Sequence, residues 1–318
     1  MGSLDGKVAV VTGASRGIGR GIAQRLAAEG AHVAVTARTL RPGDGEYAGS
    51  LEQTVADIES AGGRAVAIVA DLADVDADRR EIVQQARDEL GAPVEILVNN
   101  AAAARHFELR FEGMHAAAFR EQVEVNVWAA WDLMLAALPG MRELGRGWVL
   151  NISSQGAAPK VGPPYRTIPM VGAQCLYGST KAMLDRFTTG AAMELYDDGI
   201  AVNALAPEGA VATENAKTVA GVRDDWSEPM ETMAEAALAL CSGDPRELTG
   251  RVATSLSLLV QQQRPVRTLD GQSLVAGWQP SEIDAARLVP SYLSAFAPEQ
   301  GIHSGLIEVR APEREEFG

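Results

Sequence analysis

Tyr177 and Lys181 stand four residues apart in the stretch YGSTK, which puts a phenol and an ammonium on one face if the segment is helical. A free phenol titrates near pH 10, too high to serve as a base at neutrality. An ammonium about 4 Å away, at an effective dielectric near 20, favours the phenolate by about 4 kcal/mol, or roughly three pKa units, with desolvation opposing it. A pair of this kind can pass a proton to or from a substrate oxygen. A second cluster, TGASRGIG, places Gly13, Gly17 and Gly19 between an apolar run and a helical pattern. Glycines there let the backbone approach a pyrophosphate, and the helix N-terminus offers free N–H groups and partial positive charge. The spacing departs from the G-x-G-x-x-G dinucleotide fingerprint. Taken singly, the first motif could be an ordinary solvated helix face and the second an ordinary tight turn.

The elements that must position these residues follow from the hydrophobic pattern. Strands are expected at Lys7–Thr12, Ala31–Ala37, Ala65–Val69, Ile96–Val98, Trp148–Ile152 and Ile200–Ala204. Helices are expected at Gly17–Glu29, Leu51–Ala61, Asp78–Leu90, Phe119–Leu138 and Leu176–Tyr196. The strands are apolar on both sides, as when helices cover both faces of a parallel sheet. Strict alternation with short connectors predicts an α/β fold, a doubly wound parallel sheet of the Rossmann type, with ligands bound beyond the carboxyl ends of the strands. The expected organisation is one catalytic and dinucleotide-binding domain over 1–260, with a C-terminal extension over 261–318 packing on it. Two further stretches read as insertions, Leu40–Ser50 and Gln155–Gln174. The second contains Pro159, Pro163, Pro164 and Pro169 and lies between two candidate catalytic residues, so it is expected to rim the substrate pocket. A helix is also expected at Ser281–Val289.

Other motifs fall in order behind the strands: Asp71 after the third, NNAA at 99–102 after the fourth, Asn126 in the next helix, NISS at 151–154, YGSTK at 177–181 and NALAP at 203–207. Together with TGASRGIG, this series resembles the short-chain dehydrogenase/reductase family from about Leu4 to Leu259. The resemblance implies an oxidoreductase interconverting an alcohol and a ketone or aldehyde by hydride transfer. It implies that Ser154 holds the substrate oxygen, that Tyr177 is the acid/base, and that Lys181 binds the nicotinamide ribose and lowers the Tyr177 pKa. Asn126 would anchor a water that links Lys181 to solvent. Cofactor contacts are implied for Gly13, Ser15, Arg16, Gly17, Ile18, Gly19, Arg38, Asp71, Leu72, Asn99, Ala101, Tyr177, Lys181, Pro207, Gly209, Val211 and Thr213. Asp71 would meet the adenine, and Asn99 would brace the adenine-ribose side. The alternative is a regulatory or scaffolding relative that binds NADP(H) without turnover. A hydrolase using Ser154 is disfavoured, since no histidine lies near a serine in a nucleophile-elbow context.

The chain departs from the family pattern in three places. Ala102 stands where glycine is usual, the usual Pro-Gly is Pro207-Glu208-Gly209, and Ser154 and Tyr177 are unusually far apart.

The end of the second strand bears on the cofactor. An acidic residue there bonds the 2′-hydroxyl of NAD, whereas arginine suits the 2′-phosphate of NADP. Ala37 occupies the acid's place, with Arg38 beside it and Arg16 within reach, so NADP is the expected cofactor and NAD the alternative. These cations matter because the 318 residues carry 28 basic against 42 acidic side chains, a formal charge of −14. That balance argues against nucleic-acid or membrane-surface partners. Only Cys175 and Cys241 occur, and the four histidines form no ligand-spaced cluster, so neither a disulfide framework nor a metal site is expected. No apolar run reaches the roughly 18 residues of a membrane span, and no signal-peptide pattern opens the sequence. The expectation is a cytoplasmic enzyme with a small-molecule alcohol or carbonyl substrate, assembled as a homo-oligomer, dimer or tetramer.

Overall fold

A computed structural model describes residues 2–45, 47–103, 111–159, 174–211, 213, 227–284 and 288. Seven strands form one all-parallel sheet in the order β3-β2-β1-β4-β5-β6-β9. They are β1 (Val8–Thr12), β2 (His32–Ala37), β3 (Arg64–Val69), β4 (Val94–Asn99), β5 (Gly147–Ile152), β6 (Ile200–Ala206) and β9 (Val252–Thr254). A two-stranded parallel ribbon, β7 (Ala210–Val211) and β8 (Ser227–Glu228), stands apart. Strand order reverses between β1 and β4, which opens the crevice where doubly wound sheets bind ligands.

Side chains alternate across the sheet and seed a core on each face. Ala9 and Val11 join Ile22 and Leu26 of α1 (Gly17–Ala28), Ile58 of α2 (Leu51–Ser60), Leu238 of α7 (Met230–Leu240) and Leu259 of α8 (Ser255–Gln261). Val8 and Val10 join Ile82 of α3 (Arg80–Leu90), Leu133 of α5 (Ala129–Leu144) and Ala191 of α6 (Cys175–Glu194). This two-sided burial explains why the strands lack a polar face in the sequence.

Several elements differ from expectation. The helix expected at Phe119–Leu138 is α4 (Ala116–Val123), a π-helical turn at Glu124–Trp128 and then α5. The helices α7 and α8, the strand β9 and the β7–β8 ribbon lie outside the expected elements. An almost wholly buried helix such as α7, buried from Thr232 to Leu240, carries no amphipathic signal, and β9 is only three residues long. Beyond α8 the described chain returns over the first core: Val266 is buried, Arg264 pairs with Glu235 of α7, and Leu269 lies beside Gly21 of α1. Residues 281–284 of the expected Ser281–Val289 helix form a turn and bend, and of the rest only Leu288 is described. No helix among the described residues is long and apolar enough to cross a membrane.

Candidate active site

The glycine turn between β1 and α1 is fixed from β4. Thr12 Oγ1 accepts hydrogen bonds from the Asn100 and Ala101 N–H groups at 2.9 and 3.0 Å, and Asn100 Nδ2 donates to the Thr12 and Gly13 carbonyls at 2.8 and 3.2 Å. The fit leaves no room for side chains. A Cβ on Gly13 would stand 2.9 Å from the Ala101 Cα, and one on Gly19 would stand 2.4 Å from Asn100 Nδ2 and 2.5 Å from the Gly13 carbonyl oxygen. Gly13 also adopts a positive φ of 65°, which disfavours other residues. The N-cap residue Arg16 does not cap α1 with its side chain, and the N-terminus of the helix, the positive end of its dipole, follows directly on the glycine turn. This is a cradle suited to a pyrophosphate, and Ser15, Gly17 and Ile18 line the same turn. Thr213 packs against it, its Cγ2 lying 3.4 Å from where a Gly17 Cβ would be.

At the adenosine end, Arg38 is exposed just after β2. Arg16 donates to the Ala48 carbonyl at 3.1 Å and lies 5.2 Å from the Tyr47 ring centroid, so the 40–50 insertion folds back on the guanidinium. Asp71 is exposed and accepts from the Ala73 N–H at 3.0 Å, while buried Arg79 holds the Leu72 carbonyl at 2.8 Å. Asn99 turns inward instead: its amide donates to Asn151 Oδ1 at 2.9 Å, tying β4 to β5. The neighbouring Asn100 is the asparagine that reaches the glycine turn. The NNAA motif contains both, and only their alternation along β4 separates the two roles. Ala102 is exposed.

The catalytic candidates converge beyond β4, β5 and α6. Ser154 follows β5; its Oγ accepts from the Gly156 N–H at 3.1 Å and hydrogen-bonds with Tyr177. Lys181 is buried and donates to the Ile152 carbonyl at 2.7 Å, with its Nζ 5.7 Å from the Tyr177 ring centroid. Asn126 lies in the π-helical turn, a feature common at functional sites. Its Oδ1 accepts from the Ala103 N–H at 2.8 Å, and its Nδ2 donates to Thr180 Oγ1 at 3.0 Å. The Asn126 amide therefore braces the β4 loop against α6. Thr180, absent from the candidates read in the sequence, is the other half of that brace.

The charge balance corrects one expectation. Burial of the phenolic end raises the Tyr177 pKa, and the Ser154 hydrogen bond opposes the rise without reversing it. The ammonium is directed at the Ile152 carbonyl and the ring rather than at the phenolic oxygen, so it does not supply the lowering expected from the four-residue spacing. Lys181 itself is brought down to about 8 by burial, with Asp185 opposing. Asp185, one helical turn further on, is pushed up to about 6 by burial, against the effects of Ser153 and Lys181. Ser153 is buried beside Asp185.

The sequence profile of short chain dehydrogenases matches residues 7–223. This chain belongs to the short-chain dehydrogenase family. Its Rossmann-type sheet and oxidoreductase class follow from that membership. Curated relatives include the short chain dehydrogenase MYCFIDRAFT_6125 of Pseudocercospora fijiensis, 38% identical over 67% of this chain and 62% of that protein. The 3-oxoacyl-[acyl-carrier-protein] reductase FabG of Staphylococcus aureus is 36% identical over 63% of this chain and 73% of its own length. The match thus spans under two thirds of the first of these relatives. Among solved structures, a putative short-chain alcohol dehydrogenase from Sinorhizobium meliloti superposes with a TM-score of 0.67 at 32% identity, covering 80% of this chain and 96% of its own. A short chain dehydrogenase from Burkholderia cenocepacia in complex with NADP gives 0.64 at 32% identity, covering 79% and 97%.

Proposed function

We propose that this short-chain dehydrogenase is an NADP(H)-dependent enzyme that interconverts an alcohol and a ketone or aldehyde, with Tyr177 as acid/base. The observation that carries the reading is the hydrogen-bonded Ser154–Tyr177 pair with Lys181 one turn away, in the crevice that the glycine cradle opens. The N-terminus of α1, the space kept by Gly13 and Gly19, and the cations Arg16 and Arg38 fit a dinucleotide carrying a 2′-phosphate. A bound nicotinamide supplies or accepts the hydride at the substrate carbon.

The chain's own residues handle position and proton. In reduction, Ser154 Oγ–H donates to the carbonyl oxygen and fixes it next to the phenol. Tyr177 then gives its proton to the oxygen as charge develops there. A raised pKa keeps the phenol protonated and ready to donate in this direction. Lys181, charged below about pH 8, would hold the ribose of a bound nicotinamide cofactor and stabilise the phenolate left behind. The Asn126–Thr180 brace keeps α6, which carries Tyr177 and Lys181, in register with the β4 loop. Pro207, Gly209 and Val211 border the nicotinamide side. The FabG relative reduces a 3-oxoacyl group by name, and a carbonyl substrate is the class read here.

A homo-oligomer is part of this reading. Trp128, Trp131 and Leu135 on the α5 side and Met183 on α6 are exposed, and Trp131 stacks on Phe187 at 4.5 Å, giving one apolar face suited to a second copy. The deciding experiment is a panel of ketones, aldehydes and alcohols read at the nicotinamide absorbance with NADPH and NADP. Cofactor binding is measured by fluorescence alongside, and light scattering reports mass. Tight NADPH binding with no turnover across the panel would instead favour the non-catalytic relative.

A further inference from the structure

Glu208 is the residue inserted between Pro207 and Gly209, and a carboxylate in a surface loop belongs in water. It is instead 3% exposed, and Glu228, at the end of β8, is 2% exposed. The two share one hydroxyl. Ser255 Oγ accepts from the Glu208 N–H at 2.9 Å and lies 2.7 and 2.9 Å from the two Glu228 carboxyl oxygens. Glu228 Oε1 also accepts from the Gly209 N–H at 3.1 Å, and Glu208 Oε2 accepts from the Ser257 N–H at 3.2 Å. Among the described residues, Thr232 of α7, Ser255 of α8 and Glu208 and Gly209 of the loop face the Glu228 carboxyl, and Glu208 is the titratable one.

Counting protons decides the state of this cluster. Thr232 Oγ1 is 2.5 Å from Glu228 Oε2 and 2.7 Å from the Pro229 carbonyl oxygen. The Thr232 hydroxyl has one proton, and a carboxylate and a carbonyl are both acceptors. With Glu228 ionised, one of these close oxygen pairs has no proton between its members. With Glu228 protonated on Oε2, its O–H donates to Thr232 Oγ1, the Thr232 O–H donates to the Pro229 carbonyl, the Gly209 N–H donates to Oε1, and Ser255 Oγ, 2.7 Å from Oε2 and 2.9 Å from Oε1, shares its proton between the two carboxyl oxygens. Every contact is then satisfied.

We infer that Glu228 is held as a neutral carboxylic acid and, paired with Glu208, forms a proton-operated clasp that fixes the Pro207–Val211 loop against α7 and α8. It is a positioning residue, since it touches the loop and no reacting atom. Burial and the neighbouring Glu208 push Glu228 up to about 7, against the hydrogen bonds of Thr232, Ser255 and Gly209. A folded-state pKa raised above the ordinary 4.5 stabilises the fold fully below that value, and the contribution is lost as pH rises through about 7. Above it, the Glu228 charge is buried beside the neighbouring Glu208 and the clasp loosens. The consequence for cofactor rests on the function proposed above; the protonation state does not.

Glu228→Gln decides the matter, because the amide reproduces the neutral acid: its oxygen accepts as Oε1 does and its NH2 donates to Thr232. Thermal unfolding is followed from pH 5 to pH 9 for wild type, Glu228→Gln and Glu208→Gln, with NADP affinity measured by fluorescence in parallel. The expected result is equal stability of wild type and Glu228→Gln near pH 5, and a higher Tm for Glu228→Gln near pH 8.5. Wild type should lose several-fold in NADP affinity across that range, and the variant should lack this component. Glu208→Gln should shrink the pH-dependent loss by removing the like charge. A Glu228→Gln protein that is less stable than wild type at every pH, or that fails to fold, overturns the clasp, because an ionised Glu228 would lose three charge-assisted hydrogen bonds. If no protein bound either dinucleotide, the cofactor reading would fall, while the unfolding comparison would still decide the clasp.

Discussion

Cofactor choice offers the sharpest test of the adenosine end of the site. Ala37 ends β2 and Arg38 follows it, exposed, while Arg16 is already engaged by the Ala48 carbonyl at 3.1 Å and the Tyr47 ring. Among the described residues at this end, Arg38 is exposed and placed to turn onto a 2′-phosphate, and Arg16 is a second contact already held. Removing a charge-assisted hydrogen bond costs about 1.5–3 kcal/mol, and solvent exposure puts Arg38 at the low end, so Arg38→Leu should weaken NADP by about tenfold. Adding Ala37→Asp sets a carboxylate against a phosphate of charge near −2. At about 5 Å and a water-like dielectric this costs roughly 1.5 kcal/mol more, and the double variant should lose about a hundredfold. The same carboxylate can accept from the 2′-hydroxyl of NAD, so one change rejects one ligand and attracts the other. The assay is the ratio of kcat/KM for NADPH to that for NADH in wild type and both variants, at one ionic strength. A wild type that prefers NADH refutes the assignment. An unchanged ratio in the double variant reduces Arg38 to a solvated surface residue.

Tyr177→Phe should leave NADP binding near wild type and lower kcat by about 10²–10⁴-fold, and a variant retaining turnover on a confirmed substrate would remove Tyr177 from the mechanism. Gly19→Ala pushes a methyl into Asn100 Nδ2 and the Gly13 carbonyl, so it should cost about 1–3 kcal/mol by urea unfolding and weaken dinucleotide binding; unchanged values in both would show that the turn is not close-packed. Glu235 pairs with Arg25 at 2.8 Å and Arg264 at 2.7 Å with its side chain 3% exposed, so Glu235→Leu leaves the buried Arg25 guanidinium with Glu29 as its remaining ion pair and should cost about 3 kcal/mol, the low end for breaking a buried pair. A loss below about 1 kcal/mol in the same unfolding experiment would mean that water reaches Arg25.

The sequence by itself determined six of the sheet's seven strands and the oxidoreductase family. Apolar runs closed by glycine or asparagine place strand ends within a residue or two, because a parallel sheet buried on both faces tolerates no polar register error. YGSTK and TGASRGIG are local in the chain, so their spacing survives folding. What the sequence could not supply are relations across large sequence separations. Asn100 and Asn99 are adjacent residues with opposite destinations, one on the glycine turn and one on Asn151, and the pleat of β4 decides which is which. The Asn126–Thr180 brace joins a π-helical turn to α6, and no periodicity announces it. Four-residue spacing put Lys181 near Tyr177, but only the tertiary structure sent its ammonium to the Ile152 carbonyl and left the phenol governed by burial. Glu208 read as an extra loop residue. Packing alone brought its backbone N–H onto the serine hydroxyl that meets the Glu228 carboxyl, twenty residues away, and gave its own carboxyl the Ser257 N–H, because buried polar groups must find hydrogen-bond partners wherever the fold provides them.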